Sequence, residues 1–148
     1  MRVLRYKGGM TPLPSVNILL PIRLYSEANE HTHWRVKSKR VKDQKAWVAL
    51  ALKSKARSGK HLLPATVIIT RYGPKMLDTD NLAGSGKAIR DAIAAWLSCG
   101  DSPADPVVWI YQQDPIKEIN ILNQYKTWKY ATGINIAPNL DWEAPHAL

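Results

Sequence analysis

Between Val16 and Leu24 apolar residues occupy every second position (Val16, Ile18, Leu20, Ile22, Leu24), the pattern of a strand with one buried face. Pro21 cannot donate to a ladder, so this strand is expected at a sheet edge or broken there. The period then changes. From Arg35 to about Lys55 there is neither Gly nor Pro, and Val36, Val41, Trp47, Val48, Leu50, Ala51 and Leu52 suit a helix with its apolar weight toward the C-terminal half. Leu63 to Tyr72 reads as a second strand, apolar on both faces at Val67-Ile68-Ile69 and so central. Beyond Gly73-Pro74, Leu82, Ile89, Ile93, Trp96 and Leu97 recur on one side of a predicted helix, with Lys87, Arg90, Asp91 and Ala94 away from it. Val107 to Gln112 predicts a third strand and Ile116 to Leu122 a fourth; Trp128, Tyr130, Thr132, Ile134 and Ile136 alternate in a fifth. Residues 1–15 hold Arg2, Arg5, Lys7, Gly8-Gly9, Pro12 and Pro14 and read as a basic arm, and 137–148 as a C-terminal tail. The expected fold is α+β: a single domain over residues 1–148, with a mixed β-sheet of about four to five strands packed with two main helices.

Composition narrows the class. A chain of 148 residues with 45% hydrophobic and 22% charged positions is an ordinary folded domain, not a disordered one. Six Trp and six Tyr with no Phe mean that most aromatic side chains carry a polar tip that needs a partner or water. Cys99 is alone, which excludes an intrachain disulfide and a cysteine zinc site and leaves a buried thiol as its expected role. No apolar run approaches the roughly 20 residues of a membrane span. The basic N-terminus lacks the apolar centre of a secretory signal, so a soluble, cytoplasmic protein is expected.

The net charge of +9 turns the question to partners, because an excess of that size favours a polyanion such as nucleic acid. Much of it falls on the first half of the long helix, where Arg35, Lys37, Lys39, Arg40, Lys42 and Lys45 face a single Asp43. A solvated helix face is the plain alternative. Like charges at helical neighbour spacing repel, however, and a phosphate backbone relieves that repulsion while releasing counterions.

The candidate chemistry lies in Leu77-Asp78-Thr79-Asp80-Asn81-Leu82-Ala83-Gly84-Ser85-Gly86-Lys87. In a locally extended chain Asp78 and Asp80 would point to the same side and share a hard cation such as Mg²⁺. The structural alternative is that Asp and Asn are there because a helix start prefers them as caps. Gly84 and Gly86 each cost about 1 kcal/mol inside a helix, which suggests close approach of the backbone to something, such as a phosphate. Lys87 stands where the helix dipole disfavours a cation, and its pairing with Asp91 has the weaker order. Asp101 and Asp105 follow the helix, and spacing leaves open which returns an acid to the metal. Gly84-Ser85-Gly86-Lys87-Ala88 is no phosphate loop, since Ala88 replaces Ser or Thr and the first Gly is missing. His31 and His33 are weak as metal ligands without a third, and no Ser-His-Asp arrangement is present.

Taken together, Asp78-x-Asp80-Asn81-Leu82, Lys87-x-x-x-Asp91-Ala92-Ile93, Trp96-Leu97, Asp101-Ser102 and a strand ending in Gln112-Gln113 resemble the RusA family of Holliday junction resolvases. The likeness is strongest to members carried by phages and prophages, and Ser26-x-x-Asn29 and His33-Trp34 before a basic helix extend it. It covers roughly residues 16 to 115. The resemblance implies a homodimeric, Mg²⁺-dependent endonuclease of DNA recombination and repair that resolves four-way junctions by paired nicks. It places the essential metal-binding acids on Asp78, Asp80 and Asp101 and the catalytic lysine on Lys87. Asp91 matches a further acid of the pattern. Two departures are visible: a wider gap between Asp80 and Lys87, and Gly100-Asp101 where relatives have two adjacent acids, with Asp105 displaced. A non-catalytic, basic DNA-binding or architectural protein is the alternative from another class.

Overall fold

The computed structural model describes residues 3–6, 9–12, 14–26, 33–100, 105–116, 119–120 and 127–143. In chain order they form β1 (Val3–Tyr6), β2 (Gly9–Pro12), β3 (Val16–Leu20), α1 (Trp34–Lys55), β4 (Ala65–Tyr72), α2 (Thr79–Ser85), α3 (Lys87–Leu97), β5 (Val107–Asp114), β6 (Ile119–Asn120), β7 (Thr127–Trp128) and β8 (Ala131–Pro138). The fold is α+β, with a mixed four-stranded sheet in the order β3-β8-β4-β5. As its alternation requires, β3 ends at Leu20 just before Pro21 and lies at an edge, paired antiparallel to β8 from Val16↔Ile136 to Leu20↔Thr132. The run around Val67 is central, parallel to β5 on one side and antiparallel to β8 on the other.

Burial follows the two periods. Along β4, Ala65, Val67, Ile69 and Arg71 are buried and the residues between them half-buried, so one sheet face carries the core. Against it pack Val48 and Leu52 of α1 and Ile89, Ile93, Trp96 and Leu97 of α3. Each such side chain taken fully from water contributes about 1.5–3 kcal/mol. Ala94, expected to point away, is buried as well, because α3 packs along α1 in addition to facing the core and so covers more of its surface. The Trp96 indole N–H finds its partner in the Ala56 carbonyl at 2.9 Å, and Cys99 is half-buried against the core.

Three expectations need correction. The basic arm is a two-stranded ribbon, β1 pairing antiparallel with β2 from Val3↔Pro12 to Tyr6↔Gly9; the turn signal at Gly8-Gly9 was present in the letters. Of the expected fourth strand the described residues include β6, paired with β7 in a separate two-stranded ribbon, and β8 runs on to Pro138, beyond the expected start of the tail. The helix after the acidic stretch is two helices. Gly86 separates α2 from α3, and a Cβ built there would lie 2.7 Å from the Tyr111 ring, so no larger residue fits without displacing Tyr111. Among the described residues no helix is long and apolar enough to cross a membrane.

Candidate functional site

The chain leaves β4 at Tyr72 and reaches the acidic turn at Leu77, which the side chain of Gln113 in β5 grips from both sides. Gln113 Oε1 accepts from the Leu77 N–H at 2.9 Å and Gln113 Nε2 donates to the Leu77 carbonyl at 2.6 Å. The turn is thereby fixed at the C-terminal end of the parallel β4–β5 pair, the edge where ligand crevices of open α/β sheets form. Asp78 is the N-cap of α2. One of its oxygens accepts from the Asn81 backbone N–H at 2.9 Å and the other from the Asn81 side-chain amide at 2.8 Å. The capping role is therefore real. Asp80 lies within the first turn of α2 and is exposed, so strand alternation does not relate the two carboxylates; that expectation fails because the helix begins at Thr79.

Lys87 opens α3 and is 73% exposed at its side chain. Its Nζ lies 3.8 Å from one oxygen of Asp91, whose other oxygen lies 3.6 Å from Nζ of Lys45 on α1. Asp91 thus ties the candidate catalytic lysine to the basic helix. Of the two glycines, Gly84 has open space where a Cβ would lie, and Gly86 has the Tyr111 ring there.

Asp101 lies outside the described residues. The described residues flanking its loop are Gly100 and Asp105, and a Cβ on Gly100 would lie 2.8 Å from an Asp105 oxygen. Asp105 accepts from the Val107 N–H and so sits at the start of β5, whereas Gln113 and Leu77 are at its other end, about 20 Å away at the rise of a strand. α3 does pack back along β5, with the Arg90 guanidinium 4.7 Å from the centroid of the Trp109 ring, and Asp105 lies at the far end of that strand. The structure does not bring Asp105 to Asp78. Among the described residues no group of three or more His, Cys, Asp or Glu could hold a metal ion. Asp78 and Asp80 still suit a hard cation, since each Asp78 oxygen uses one hydrogen bond and retains acceptor capacity, and Mg²⁺ takes one or two carboxylates with water and phosphate oxygens.

The basic helix divides in two. The buried residues of α1 (Gln44, Val48, Leu52) lie from its midpoint onward, and none is buried before Gln44. Arg35, Lys37, Lys39 and Lys42 are exposed there, Arg40 and Lys45 half-buried, with Trp34 and Val36 open between them. Lys39 lies 3.6 Å from Asp43. A shallow cleft lined by Trp34, Lys37, Lys42 and Lys45 adjoins, at Lys45, a second one between α1 and α3 lined by Lys53, Arg57 and Asp91. His33 is accounted for as the α1 N-cap, its Nδ1 accepting from the Arg35 N–H at 3.2 Å; His31 is outside the described residues.

One cluster escaped the sequence. The guanidinium of Arg40 lies 4.0 Å from the centroid of the Tyr25 ring, and that of Arg23 lies 4.5 Å from Tyr25 and 4.4 Å from Tyr130. The Lys129 ammonium lies 5.6 Å from Tyr130. Behind this ladder Arg71 is buried and donates to the carbonyls of Leu24 and Lys75. Burial, and next the charge of Arg23, push the Arg71 pKa below its ordinary value. The five residues of the ladder come from α1, the segment after β3 and the turn before β8, so no local spacing announces them. The only hints are Arg23-x-Tyr25 and Lys129-Tyr130, basic and aromatic residues interleaved. No family model and no curated protein matches this chain.

Proposed function

We propose that the protein is a Mg²⁺-dependent, structure-specific DNA endonuclease of the RusA type, acting in the cytoplasm as a homodimer on four-way or branched junctions. The observation that carries this reading is the ion-pair chain Lys87–Asp91–Lys45, which joins the first lysine after the exposed Asp78 and Asp80 to a basic helix face. Asp78 and Asp80 would hold the metal, with water and phosphate oxygens completing its shell; the third acid that the family resemblance implies, Asp101, adjoins Gly100, which lies against Asp105 at the other end of β5. When bound, the ion supplies an activated water and neutralises charge on the scissile phosphate. Lys87 donates to a non-bridging phosphate oxygen, an interaction that strengthens as negative charge accumulates there. Arg35, Lys37, Lys39, Lys42 and Lys45 hold the DNA backbone without reading bases, since phosphate contacts fix position and not sequence. Two copies related by a two-fold axis would make the paired nicks.

A second reading, a basic DNA-binding protein without catalysis, is favoured by the use of Asp78 as a cap and by the position of Asp105 at the far end of β5. Incubation with a synthetic four-way junction and Mg²⁺ separates the two. Paired nicks that disappear in Asp80→Asn, with binding retained or tightened, support the endonuclease. Binding without nicks, or equal nicking by the variant, removes it.

A further inference from the structure

Three members of the arginine–tyrosine ladder, Arg23, Tyr25 and Arg40, line a cleft of about 450 Å³ between α1 and the segment that follows β3. Ile22, Arg23 and Tyr25 line one side, and Val36, Arg40 and Trp47 the other. Gln44 closes the floor by donating to the Arg23 carbonyl at 3.1 Å, which fixes the backbone that carries Arg23 to the helix. Cations and rings alternate from Arg40 through Tyr25, Arg23 and Tyr130 to Lys129. Arg71 adds a buried positive charge behind them. The one acid among the described lining residues, Asp43, is 3.6 Å from Lys39.

A guanidinium stacked flat on a ring keeps its N–H edge in the ring's plane, where it can fork onto a phosphate. The facing wall has a different chemistry. Trp47 is 56% exposed and Val36 55%, apolar surface large enough to take the face of a planar base. Duplex DNA keeps its bases stacked on one another, so a site that pairs phosphate donors with an open aromatic face fits a strand whose bases are unpaired.

We infer that this cleft binds unpaired single-stranded DNA, with Arg23 and Arg40 on its phosphates and a base against Trp47. This goes beyond the nuclease reading and does not draw on Asp78 or Asp80. It is therefore measured without divalent metal, and loss of the nuclease reading leaves it standing.

The test is binding of a fluorescent ten-residue oligothymidylate in EDTA, with a duplex of equal length as comparison. Wild type is expected to prefer the single strand, and Arg23→Ala and Arg40→Ala each to weaken it about tenfold. Arg23→Lys should recover little, because the ammonium neither stacks nor forks. Lys60→Ala, a charge lost at the opposite end of the sheet, should change affinity less than about twofold. If Arg23→Ala is too poorly folded to measure, Arg40→Ala on the other wall should lower the slope of log affinity on log salt by about 0.7, one phosphate contact to a single strand. Equal losses from Arg23→Ala and Lys60→Ala, preference for the duplex, an unchanged salt slope in Arg40→Ala, or displacement by polyglutamate at equal charge concentration would each overturn the inference.

Discussion

The acidic turn and the arginine–tyrosine ladder occupy the same end of the sheet, where β3 and β4 finish and β8 begins, yet they are built in opposite ways. The ladder's groups are held by several neighbours at once: Arg23 lies between two rings and is linked through its own carbonyl to Gln44, and buried Arg71 donates to two carbonyls. The acidic turn is anchored at one point, Leu77, beyond which Asp80 and Lys87 are exposed. Binding energy gained at a rigid surface loses little to ordering side chains, whereas a cluster of exposed charges takes its final geometry from the ligand that neutralises it. On the function proposed above, the two regions would take different tasks, one holding a strand and the other doing chemistry on it.

Mutations separate these tasks, and the largest effect is expected at Asp80. Asp80→Asn should lower the junction cleavage rate at saturating DNA by about 10³-fold, the equivalent of several kcal/mol of lost metal stabilisation, while Arg23→Ala should leave that rate within about threefold and act on affinity. A comparable rate loss in both would merge the two regions into one site. Lys87→Ala should cost about 10²-fold in rate with DNA affinity nearly unchanged, a split read by single-turnover kinetics. On the ladder's side, Arg71→Met should destabilise the fold by about 2 kcal/mol in urea denaturation, because two carbonyls lose a buried donor. A change below about 0.5 kcal/mol would show that the ladder has no rigid backing. The smallest effect on stability belongs to the cap: Asp78→Ala should cost about 1 kcal/mol, or roughly 2–4 °C in Tm, and Asp78→Asn only a few tenths of a kcal/mol, although both would also remove an acid from the proposed metal site.

What could be read from the letters was what repeats locally. Pro21 marked β3 as an edge strand, the run apolar on both faces marked β4 as a central one, and the Gly- and Pro-free run gave α1 to within a residue of its start. The corner chemistry was legible as residue types but not as geometry. Whether Asp78 and Asp80 are related by strand alternation depends on where α2 begins, and the direction of α3 along β5 decides which end of the sheet receives the following loop. Gly86 was visible as an oddity, but its reason, the Tyr111 ring, lies 25 residues away in the chain. The ladder lay beyond reach altogether, since Arg23, Arg40 and Tyr130 meet only once three separate segments have packed.

The junction between α2 and α3 also limits how this molecule can change. Alanine in place of glycine is the usual route to a stiffer helix, but at Gly86 a methyl group would collide with an aromatic ring of the neighbouring strand. The bend that starts Lys87 on its own helix is thus protected by crowding, and any sequence that fuses the two helices must also shrink residue 111. Variation at these two positions should therefore be paired, small with large, and a chain carrying bulk at both would have lost the corner before it lost the fold.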